Sequence, residues 1–136
     1  MPENPTQYQY DPRSVSPPRE TVRKVFYQGN PGTSDTLLYT SPNLPGARSE
    51  VLNIVVANID SSARTFRLHL VAKGASSAVS NALFYDVSVT ANTTVIHDSL
   101  RLIMEEGYML RVLQSVSAKL CITITGLVEI RRGGLS

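Results

Sequence analysis

The side chains with the chemistry for catalysis or metal binding are few and widely spaced. Imidazoles occur at His69 and His97, a thiol at Cys121, and adjacent carboxylates at Glu105 and Glu106. Two imidazoles begin a metal site only where further ligands converge on them, and the spacing supplies none; Asp60 and Asp98 would have to be brought in by the fold. A nucleophilic Ser or Cys needs a base within hydrogen-bond reach. The serines are scattered through loop-like stretches, and Cys121 lies between Leu120 and Ile122, where a thiol packs rather than reacts. Glu105 and Glu106 precede Gly107 and read as a solvated turn, because acid–base pairs face each other across a cleft. Phosphate loops, dinucleotide fingerprints and calcium-loop spacing are absent. The residues predict no catalytic site, no cofactor and no metal, with both histidines at outward, solvated strand positions.

The elements that carry these residues are those of a small all-β domain. A chain of 136 residues, 42% hydrophobic and 18% charged, has the composition of one folded domain. A net charge of +2 gives no basis for nucleic-acid binding, which needs a clustered basic surface. The single cysteine excludes an internal disulfide and a cysteine metal cage. No window approaches the ~20 apolar residues of a membrane span, and the N-terminus shows no apolar signal segment, so a soluble protein and no membrane partner are expected. The ten arginines against three lysines suit the planar, fixed contacts of permanent protein interfaces.

Two regions differ in grammar. Residues 1–35 hold six of the eight prolines and three tyrosines, with no sustained apolar period, and read as an extended arm. Tyr8, Tyr10, Phe26 and Tyr27 are the rings that anchor such a segment to a partner, with Arg13, Arg19 and Arg23 between them offering ion pairs. Residues 36–136 read as a β-sandwich. Short runs rich in Val, Ile, Leu and Thr recur at intervals of roughly ten positions, giving about eight strands.

Leu37–Thr40 and Val51–Ala57 are strands, with Asn58–Ala63 closing a hairpin to the next. There Phe66, Leu68, Leu70 and Ala72 share one face and Thr65, Arg67, His69 and Val71 the other. Leu83, Tyr85, Val87 and Val89 form a face opposite Phe84, Asp86 and Ser88. A strand follows over Thr93–His97, Leu100–Met104 is a strand or a helical turn, and Tyr108, Leu110 and Val112 alternate against Met109, Arg111 and Leu113. Leu120, Ile122, Ile124, Gly126, Val128 and Ile130 line one face of a long last strand. Such strands suit a jelly-roll or Greek-key sandwich. On the faces away from the core, Val55, Val71, Phe84, Met109, Leu113 and Leu127 would be left in water in a monomer, and rimmed by Arg67, Arg111, Arg131 or Arg132 they would have the anatomy of a subunit interface.

The series Leu38-Tyr39-Thr40-Ser41-Pro42, Ile54-Val55-Val56-Ala57-Asn58, Phe66-Arg67-Leu68-His69-Leu70-Val71, Glu106-Gly107-Tyr108-Met109-Leu110 and Ile122-Thr123-Ile124-Thr125-Gly126 resembles the small β-sandwich virion proteins of tailed bacteriophages, over roughly residues 36–130. With its basic and aromatic arm, the chain is most similar within that group to capsid cement, or decoration, proteins. The resemblance implies a homotrimer on the capsid surface of the virion, assembled in the host cytoplasm. The major capsid protein would be its partner, and Tyr8, Tyr10, Arg13, Arg19, Arg23, Phe26 and Tyr27 would anchor the arm. Rival readings are a tail, neck or fibre-attachment sandwich and a glycan-binding module.

Overall fold

Runs of β-branched and aliphatic residues broken by Gly, Pro, Asn and Ser form strands throughout the computed structural model, which describes residues 19–131. In chain order the strands are β1 (Arg19–Gly29), β2 (Thr36–Thr40), β3 (Arg48–Asn58), β4 (Arg64–Val71), β5 (Ala82–Val89), β6 (Thr94–His97), β7 (Leu102–Met104), β8 (Met109–Gln114) and β9 (Leu120–Arg131). Sheet A has the order β1-β9-β3-β6, with β7 also paired to β3; sheet B has the order β2-β8-β4-β5. Every pairing is antiparallel.

The order has a simple origin. Pairing β1 with β9, β2 with β8, β3 with β6 and β7, and β4 with β5 folds the chain once into a long antiparallel ribbon. Rolling that ribbon brings β9 against β3 and β8 against β4. The result is a jelly-roll β-sandwich. The ninth strand beyond the eight expected over residues 36–136 is β1, and a jelly roll's usual eight becomes nine because the stretch facing β3 is interrupted: Ser99 takes φ 57° and the Leu100 amide donates to the Leu52 carbonyl, at 2.9 Å, between β6 and β7. Leu102–Met104 is thus a strand, not a helical turn.

The core fills the layer between the sheets. Val51, Ile54, Val56, Ile122 and Ile124 project from sheet A onto Phe66, Leu68, Leu110 and Val112 of sheet B, and none is more than 1% exposed. Each such side chain stabilises the sandwich by about 1.5–3 kcal/mol relative to its exposed state. Two buried amides fasten the loops at one end. Gln114 donates to the carbonyls of Pro31 and Leu120 and accepts from the amides of Lys119 and Leu120. Asn58 donates to the carbonyls of Ser62 and Val89 and accepts from the Asp60 amide.

Several expectations need correction. The sandwich begins at Arg19, not Thr36, because Thr21–Tyr27 is a proline-free β-forming run hidden among the prolines that flank it; it becomes the edge of sheet A on β9. Asn58–Ala63 closes no hairpin, since β3 and β4 belong to opposite sheets. On β5 the register slips between the pairs Val87 with Phe66 and Phe84 with Leu68, so Arg67 of β4 faces both Tyr85 and Asp86 of β5. This bulge, with Asp86 at φ 52°, turns Phe84 inward beside Phe66 and leaves Leu83 and Tyr85 exposed, the reverse of the alternation expected. Val71 is buried rather than stranded in solvent.

Neither histidine is a solvated outward residue. His69 does lie on the outer face of sheet B, but it is only 4% exposed and bonded to Asn81. His97 pairs with the core residue Ile54, and its ring lies 4.7 Å from that of Phe84, which places it between the sheets. Among the described residues no group of three His, Cys, Asp or Glu converges as metal ligands would.

Candidate interaction surface on sheet B

The outer face of sheet B is built from alternate residues of β8 and β4, with β5 at its edge. Arg67 is central, directly across from Leu113 on β8 and next to the bulged part of β5. Its guanidinium grips Asp86 with both ends of the fork, Nε donating to Oδ1 at 2.6 Å and Nη2 to Oδ2 at 3.1 Å. The same guanidinium lies 4.1 Å from the centre of the Tyr85 ring. The bulge explains both contacts, because it puts the consecutive residues Tyr85 and Asp86 at the surface together. The hydrogen bond from Arg67 holds the Asp86 carboxyl below its ordinary range and raises Arg67 in turn, so both are charged at neutral pH.

A second ion pair borders the face. Arg111 directs Nε at both oxygens of Asp35, at 3.2 and 3.1 Å, and Ser77 donates to the same carboxylate. Asp35 thereby fastens the segment after β4 to the segment before β2. The Asn81 carboxamide oxygen accepts from the Ala78 amide at 3.0 Å and from His69 Nδ1 at 2.9 Å, while its nitrogen donates to the Ser76 carbonyl. Nδ1 of His69 is therefore the donor in this bond. This polar stitching covers His69.

Two shallow hollows of about 220 and 290 Å3 lie on either side of Arg67 and share Arg67 and Leu113 as lining. Thr65, Asp86 and Ser115 complete the first; His69, Val79 and Tyr85 contribute to the second. Together they make one groove running along β4. Its chemistry suits recognition: Tyr and Arg dominate protein contacts because they bury large area with few rotors and offer directional donors.

The outer face of sheet A has another character. Val25, Ile96 and Ile103 are exposed there, and its ion pair, Arg101 with Glu50 at 2.9 Å, leaves the arginine side chain 82% open. A shallow groove beside β1 is lined by Arg23, Lys24, Val25, Asn53 and Thr125.

The residues expected to anchor the arm meet different fates. Tyr8, Tyr10 and Arg13 lie outside the described residues. Arg19 opens β1, and its side chain is likewise outside the description. Arg23 is exposed on β1 and remains open to a partner. Phe26 is not available as an anchor: it is 7% exposed and stacks on Tyr39 of β2, with ring centres 4.0 Å apart and planes at 7°. Tyr27 packs against the core, and burial raises its hydroxyl pKa. Of the arginines expected to rim an interface, Arg67 and Arg111 lie on the outer face of sheet B. Tyr85 was missed as a surface residue, because the bulge that exposes it leaves no mark in the alternation.

No family model and no curated protein matches the chain. Among solved structures it is similar to a chain in the structure of infectious bursal disease virus Gx strain, at 13% identity and a TM-score of 0.45, covering 98% of this chain and 37% of that one. It is also similar to a chain in the infectious bursal disease virus VP2 subviral particle, at 12% identity and a TM-score of 0.42, covering 100% of this chain and 40% of that one. The chain thus spans well under half the length of those proteins. Superpositions this loose carry no argument, and the fold rests on the strand order itself.

Proposed function

We propose that this chain is a structural subunit of a virion, a jelly roll whose task is to pack against other subunits. At finer detail it is a cement subunit, trimeric, bound to the major capsid protein on the capsid surface. The observation that carries the reading is the pairing of a jelly-roll strand order with two outer faces, each bearing exposed apolar or aromatic side chains beside ion pairs. Jelly rolls recur in viral capsids. Faces of this composition have the anatomy of interfaces, whereas the hollows on them are shallow and open rather than enclosed clefts.

The test is assembly. Purified protein is measured by light scattering over a range of concentrations, then sedimented with empty capsid shells. A defined oligomer that saturates the shells supports the reading; a monomer at every concentration that stays in the supernatant overturns it. A glycan-binding role has one observation in its favour, the Tyr85, Arg67 and Asp86 cluster facing a groove. Selective retention on a sugar array would favour it.

A further inference from the structure

The groove along β4 has a neutral floor. Its charged lining is Arg67, Asp86 and Asp35, of which Arg67 pairs with Asp86 and Asp35 with Arg111 beside the groove. A strongly charged ligand would have to break one of these pairs, so the natural occupant is uncharged. Tyr85 takes one side of the Arg67 guanidinium, while 38% of the side chain stays open, and Arg67 is the residue both hollows share. A stacked guanidinium accepts a second ring.

The hollows also set a spacing. One involves Thr65 with Arg67 and the other Arg67 with His69, so their centres are separated by about two residues of β4, or ~6.6 Å. An extended peptide presents side chains i and i+2 on one side at that same spacing. The groove therefore fits an uncharged, extended segment with aromatic rings at i and i+2.

This chain contains such a segment. Tyr8-Gln9-Tyr10 is uncharged and lies in the proline-free window between Pro5 and Pro12. From Tyr10 to Arg19, where β1 begins, nine residues span at most about 30 Å. That reach is comparable with the width of a domain of about 100 residues. β1 is the edge of sheet A, whereas the groove is on the outer face of sheet B, so the arm leaves from the sheet opposite its own groove.

Resting on the assembly reading above, we infer that this groove is the docking site for Tyr8 and Tyr10 of a neighbouring copy, their rings straddling Arg67. The probe is the full chain with Tyr10→p-benzoyl-phenylalanine, photolysed at a concentration where it self-associates. The expected product has the mass of two chains, with the cross-link mapping to residues 65–69, 85–86 or 111–115. Arg67→Lys, which keeps the charge but loses the planar face, should lower the yield several-fold with at most a small change in melting temperature. Cross-links within one chain, cross-links outside the groove, or an unchanged yield in Arg67→Lys would overturn the inference. If the protein still saturates shells while its cross-links fall elsewhere, the docking site is wrong and the assembly reading stands; if it never associates, both fall.

Discussion

Two bulged regions of this sandwich do opposite work. In sheet A, β1 and β3 each carry a register shift where they flank the Ile124–Gly126 stretch of β9, at Phe26 on one side and Leu52 on the other. The extra residue of β1 sends an aromatic ring inward, where Phe26 lies over Gly126 and stacks on Tyr39. In sheet B, the bulge of β5 sends an aromatic ring outward, where Tyr85 meets Arg67. The same backbone device thus closes the core in one sheet and furnishes a surface in the other. Damage to the first should cost stability, and damage to the second should cost association.

The sharpest break is at Gly126. A Cβ there would overlap the Glu50 carbonyl oxygen and come within 2.8 Å of Phe26 Cε2. Both neighbours are held, one by the ladder and the other by its stack, so neither can yield cheaply. Gly126→Ala is expected to lower stability by ~3 kcal/mol or more in denaturant unfolding, or to prevent folding. Phe26→Ala removes the ring instead of crowding it, and should cost about 3 kcal/mol, read as a fall in the denaturation midpoint. A midpoint unchanged in Phe26→Ala would mean the ring closes no part of the core and could serve as the arm anchor after all.

The outer counterpart is Tyr85, 46% exposed. Tyr85→Ala should leave the midpoint nearly unmoved while weakening self-association several-fold in light scattering, because an exposed aromatic contributes little to the fold but much to a contact. Equal losses in stability for Tyr85→Ala and Phe26→Ala would erase the distinction between the two bulges.

The contrast also explains what was legible beforehand. β3 and β9 announce themselves because the core face repeats through Val51, Ile54 and Val56 and through Leu120, Ile122 and Ile124. The jelly-roll alternative was named, but pairing order is a property of contacts distant in sequence, and no residue pattern separated it from other sandwiches. A bulge is less legible still. One inserted residue exchanges the two faces from that point on, so Phe84 and Tyr85 were assigned to the wrong sides although the faces of β8 and β4 alternate as expected. β1 was lost for another reason: Pro17, Pro18 and Pro31 bracket it, and composition averaged over residues 1–35 concealed the Thr21–Tyr27 run. Phe26 and Tyr27 were expected to anchor the arm to a partner, but their rings pack against the chain itself.

The mildest test separates the ion pair from the backbone shape that presents it. Asp86→Asn keeps a residue that tolerates positive φ, so the bulge survives while Arg67 loses a charged partner and one of its two hydrogen bonds, since only the amide oxygen can accept. Because the hydrogen bond from Arg67 holds the Asp86 carboxyl below its ordinary 3.8, the stabilisation is fully present above that value and disappears as pH falls through the lowered folded value. Both side chains are substantially open to water, so the effect on melting temperature is small and diminishes with added salt. Melting curves of the parent and Asp86→Asn proteins should run apart at neutral pH and converge below about pH 4, with Asp60, held low by Arg64, contributing equally to both. A gap that persists into acid would show that Asp86 acts through the shape of the bulge alone, leaving the stacked Arg67 to be positioned by Tyr85 without its help.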